Sequence, residues 1–174
     1  MGLLDPPSTE DAIAILDDLA RWRLKQWGFV VIRGTYSSQP KWDKFIRLAQ
    51  EDARDYFEQR RMLDLYDKMA WTVIEDGAAL DGASLEVAQN KFFEWLDGNE
   101  GKKDMEGSVF AEEGVVYRGP RYRFFLFVDD ESLESVVDEV KAREPGGYVV
   151  KVVAEGPTEG KWQEGEEGEE GEEE

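Results

Sequence analysis

The stretch Arg121-Tyr-Arg-Phe-Phe-Leu-Phe-Val128 is the strongest strand signal in the chain, and the fold turns on how it is read. Its dense aromatic content, apolar at both alternations, predicts a buried strand. Tyr122, Phe124 and Leu126 would face one side of the sheet, with Phe125 and Phe127 on the other. Downstream, Asp129-Asp-Glu-Ser132 has the composition of a helix start, with Leu133, Val136, Val137 and Val140 at inward spacing. Pro145-Gly-Gly147 then predicts a turn into a last strand, Tyr148 to Val153.

Upstream, Phe29-Val-Val-Ile-Arg-Gly-Thr-Tyr36 predicts a second buried, central strand. A helix follows at the Ser37-Ser38-Gln39-Pro40 punctuation, with Trp42, Phe45, Ile46, Ala49, Ala53, Tyr56 and Phe57 on one face. A further strand is expected over 70–75. Two more amphipathic helices are expected over 9–26, capped by Ser8 and closed by Gly28, and over 85–97, capped by Ser84 and closed by Gly98. Residues 98–120 are Gly-rich and charged, and are expected to be mostly loop. With the helices over 9–26 and 85–97 set aside as surplus, the order becomes strand, helix, strand, twice over. That order predicts an α+β, ferredoxin-like split βαβ fold with an antiparallel four-stranded sheet. The surplus helices, or a second subunit, would cover the open sheet face.

Length and charge narrow the class. The chain has 174 residues, enough for one core, so residues 1–154 are expected to form a single domain. Residues 155–174 carry ten Glu, one Lys and several Gly, a composition expected to be disordered and dispensable for folding. That tail accounts for −9 of the net charge of −19, leaving −10 for residues 1–154. An acidic body disfavours nucleic acid and anionic membranes as partners. The absence of a charged leader and of a ~20-residue apolar span predicts a soluble protein of the cytoplasm or nucleus.

Cys and His are both absent. Their absence removes thiol nucleophiles, disulfides, the commonest metal ligands and the usual neutral-pH base, so neither a metal nor a cofactor is expected. The segment Trp71-Thr-Val-Ile-Glu-Asp-Gly-Ala-Ala-Leu-Asp-Gly-Ala-Ser84 sets three acids beside two glycines. An EF-hand register places Gly77 and Ala79 where ligands belong, so the segment reads as a turn after a strand, with Glu75 and Asp76 as the surviving site candidates. Phosphate-loop and nucleophile-elbow patterns are missing. Tyr122 and Phe124 occupy positions where an RNA-recognition strand needs small residues.

The segments WGFVVIRGTY, WTVIEDGAALDGAS and RYRFFLFVDDESLESVV, spanning residues 27–140, together resemble a family of small acidic proteins of filamentous fungi. The resemblance implies an intracellular eukaryotic setting and carries over no catalytic residues.

Arg33, charged within an apolar strand, calls for a carboxylate, and Glu75 or Asp129 is positioned in sequence to supply it. The expectation is a non-catalytic binding or protein-interaction module, monomeric or homodimeric, taking a protein partner or a small apolar molecule. The alternative is a small-molecule enzyme of the α+β-barrel type, with Glu75, Asp76 and Tyr36 in acid–base roles and Arg33, Trp71, Arg121 and Arg123 binding the ligand. A closed apolar pocket with Arg33, Tyr36, Glu75 or Arg121 turned into it would mark the enzyme.

Overall fold

The computed structural model of the chain describes residues 9–113, 119–138, 149 and 151–154. The expected Ser8 cap, the 145–147 turn and the acidic tail lie outside the described residues. The element order is α1 (Thr9–Arg21), β1 (Trp27–Arg33), α2 (Gln39–Gln59), α3 (Leu63–Tyr66), β2 (Met69–Ile74), α4 (Gly77–Leu80), α5 (Leu85–Asp97), α6 (Asn99–Asp104), α7 (Val109–Glu113), β3 (Phe124–Val128), α8 (Asp130–Val137) and β4 (Lys151–Ala154). Among the described residues, no helix is long and apolar enough to cross a membrane.

The fold is α+β, with one four-stranded sheet in the order β2-β1-β3-β4. β1 pairs in parallel with both β2 and β3, and β4 joins β3 antiparallel. This mixed sheet departs from the antiparallel split βαβ arrangement expected from the sequence. The reason lies in α5. It is a connection between β2 and β3, carrying the chain across β1 so that β3 returns parallel on β1's far side. Parallel strands are covered on both faces, which explains why β1 and β3 are apolar at both alternations.

Each sheet face has its own core. Val31 and Val128 pack against Trp42 and Phe45 of α2 and against Leu133 and Val137 of α8. On the opposite face, Val30, Ile32, Phe125 and Phe127 meet Phe92 and Trp95 of α5. The helix at 85–97 therefore covers the sheet as anticipated. The first helix covers neither face: Ala12 and Ile15 of α1 pack with Phe57 and Leu65 in a cluster that reaches the sheet only at Trp27 and Met69, the first residues of β1 and β2.

Three local expectations are corrected. α1 stops at Arg21, where Arg23 takes the left-handed conformation (φ 54°) and Leu24 N–H donates to Leu19 O at 2.9 Å, closing a Schellman-type end without glycine. Gly28 lies inside β1 at φ 119°. Residues 121–123 are not strand: Pro120–Tyr122 form a 3-10 turn, which breaks the alternation and drops Tyr122 into the core with Phe125 and Phe127. The supposed loop at 98–120 also contains α6 and α7.

Candidate functional site

The carboxyl ends of β1 and β2 bring four sequence candidates together. Arg33 closes β1 and is 3% exposed. Its Nε donates to Thr35 O at 2.8 Å, and Nη1 donates to Gln39 Oε1 and Glu75 Oε1, each at 2.9 Å. The guanidinium lies between the rings of Tyr36 and Trp42, 4.3 and 4.8 Å from their centroids. Arg33 thus meets the expected carboxylate, although the Glu75 side chain stays 49% exposed.

Tyr36 ties the two strand ends together. Its hydroxyl accepts from Asp76 N–H at 2.7 Å, and its own N–H donates to Asp81 Oδ1 at 3.1 Å. Burial raises the phenol above its ordinary value of 10.0, outweighing the Asp76 N–H and Arg33, so it is protonated at neutral pH. Asp76 is the N-cap of α4, accepting from Ala79 N–H, and its other oxygen pairs with Lys91 at 3.1 Å. Hydrogen bonding to Lys91, then to Ala79 N–H, holds the Asp76 carboxyl below the ordinary range. The WTVIEDGAALDGAS segment is a turn built around one turn of helix, with Gly82 at φ 66° donating its N–H to Gly34 O.

Beside this cluster lies an open groove of about 410 Å³ between the end of β2 and the α5–α6 corner. Glu75, Asp76, Glu94 and Glu100 line it, with Lys91 as the one lining cation and Val73, Ile74 and Trp95 as its apolar lining. Lys91 is held by Asp76 and by Glu94, at 3.1 and 3.0 Å. Arg33, Tyr36 and Arg121 are not among the lining residues. No group of acidic side chains with metal-binding geometry occurs among the described residues.

The other candidates sit elsewhere. Arg121, 3% exposed, reaches the amino ends of β1 and β2, donating to Phe29 O, Ala70 O and Thr72 Oγ1. It is clamped by Asp104 at 3.0 and 3.2 Å, and Asp104 also accepts from Tyr122 Oη. These donors are committed to the protein's own acceptors, which makes Arg121 structural. Trp71 packs on the α2 face beside Phe29, ring centroids 5.5 Å apart, and its buried Nε1 has no hydrogen-bond partner among the described residues. Arg123 stacks over Phe124 at 5.6 Å. Asp129, the other proposed partner of Arg33, instead caps α8 and pairs with Lys151.

Sequence reasoning missed Lys91, Glu94 and Glu100. Lys91 and Glu94 lie on the polar side of a helix read as surplus, and Glu100 lies in a segment read as loop. No family model, curated protein or solved structure matches the chain.

Proposed function

We propose that this chain is a non-catalytic protein-interaction module that receives a basic segment of its partner in the groove between β2 and the α5–α6 corner. The observation that carries this reading is the groove's lining, four carboxylates against one lining amine, Lys91, which Asp76 and Glu94 share, while Glu75 is held from behind by Arg33. An added cation there gains Coulomb attraction, and the acidic body steers it in.

The directions of the pKa shifts support binding over acid–base chemistry. A general acid at neutral pH needs a carboxyl raised toward 7, and Asp76 moves the other way. A tyrosine base needs a lowered phenol, and Tyr36 is raised. The enzyme reading draws on the groove volume, which falls within the ~300–1,000 Å³ of small-molecule sites. Its charged and open lining suits an apolar substrate poorly. The acidic groove likewise favours a protein partner over nucleic acid or an anionic membrane.

Charge reversal tests the proposal. Glu94→Lys with Glu100→Lys is expected to weaken binding of a labelled lysine-rich nonapeptide by about tenfold or more at low salt. Unchanged affinity, or a small molecule retained by the purified protein in native mass spectrometry, contradicts it.

A further inference from the structure

β2 is an edge strand: β1 pairs with one of its sides, and no strand among the described residues pairs with the other. All six of its residues, Met69 to Ile74, are partly exposed. Natural sheets guard such edges with Pro, charge, bulges or short length. β4, the opposite edge, has four described residues and begins with Lys151. β2 has neither proline nor charge.

Its polarity follows from one bond. Trp27 N–H donates to Lys68 O across the β1–β2 pair. Alternation then turns the backbone groups of Ala70, Thr72 and Ile74 toward β1, and those of Met69, Trp71 and Val73 toward the free side. Side chains alternate as well. Trp71 and Val73 pack on the α2 face and Ile74 on the α5 face, and both Val73 and Ile74 border the acidic groove at the carboxyl end of β2.

We infer that the partner segment binds by adding a strand to the free edge of β2. Successive side chains of an added strand fall on opposite faces of the sheet. One set lies along apolar Trp71 and Val73, and the other enters the groove toward Asp76, Glu94 and Glu100. The matching ligand is therefore an extended peptide in which apolar residues alternate with Lys or Arg, about six or seven residues long to match β2. This inference rests on the reading of the groove as a seat for basic groups and adds the backbone mode and the sequence pattern.

The test uses the full chain and capped seven-residue peptides followed by isothermal titration: four valines alternating with three lysines, the same residues in two blocks, and the alternating peptide with glutamate for lysine. The alternating basic peptide is expected to bind about tenfold or more tighter than both controls. N-methylation of one alternate set of its amides is expected to abolish binding, and methylation of the other set to be tolerated, because only one set faces β2. Equal binding of the two basic isomers, or equal effects of the two methylation patterns, overturns strand addition and leaves the groove's charge preference standing. Equal affinity for the lysine and glutamate peptides overturns the groove reading itself.

Discussion

Arg33 and Arg121 are equally buried, yet their partners differ. Glu75 keeps about half of its side chain in water, whereas the Asp104 side chain is 9% exposed and also serves Tyr122. The Arg33–Glu75 coupling in a double-mutant cycle is expected to fall below about 1 kcal/mol. Arg121→Met alone strands Asp104 and is expected to cost ~3–5 kcal/mol. Urea titrations of the single and double variants check both, and a stronger coupling at Arg33–Glu75 than at Arg121–Asp104 contradicts the assignment. The first pair was legible because a lone arginine in an apolar strand demands a carboxylate, and Glu75 directly follows another strand of the sheet. The second was hidden. Asp104 sits in a charged segment without apolar periodicity, and Arg121 occupies a turn that composition alone read as strand.

Two glycines set how closely the strands approach. A Cβ on Gly28 would lie 2.3 Å from Ala70 O, at φ 119°, beside the place where Arg121 bonds carbonyls of both β1 and β2. A Cβ on Gly34 would meet the Phe127 ring at 2.5 Å, at an ordinary φ. Gly34→Ala is expected to cost ~1–3 kcal/mol as the ring shifts, and Gly28→Ala more, because backbone strain adds to the clash. Thermal melts rank the two, and the reverse order contradicts the geometry. Helix caps make stability depend on pH. Asp129 is pushed up by burial, but bonds from Lys151 and from Ser132 N–H and Oγ outweigh that and leave it below its ordinary 3.8. Asp76 is likewise lowered. Their stabilisation is complete above that value and is lost as pH falls through the lower folded values. Lys151 and Lys91 are raised above 10.5, chiefly by hydrogen bonds to Asp129 and Glu94, so their share is complete below 10.5 and is lost as pH rises through the folded values. Tm is expected to be flat between these limits, and Asp76→Asn with Asp129→Asn to flatten its acid limb. An unaltered limb contradicts this. Caps at Ser38, Ser84 and Asp129 were readable from residue type. The α1 end was not, because Arg23 adopts a conformation for which glycine is the usual sign.

The assembled sheet shows where sequence reading reached its limit. Continuous apolar runs marked β1 and β3 as buried on both faces, which favours parallel strands, but setting α5 aside as surplus concealed the crossover that makes them parallel. The groove was concealed for the same reason. Its acids come from the β2–α4 junction, α5 and α6 and meet only once α5 is packed on the sheet. The outcome is an acidic body with a charged groove beside a strand edge that carries no charge of its own. Amide hydrogen exchange resolved by NMR, with and without the alternating valine–lysine peptide, tests this most directly. In the free protein the Met69, Trp71 and Val73 amides are expected to exchange fast and those of Ala70, Thr72 and Ile74 slowly, with the first set becoming protected when peptide binds. Protection of the first set before any peptide is added, or a bound peptide that leaves those amides fast, contradicts the account.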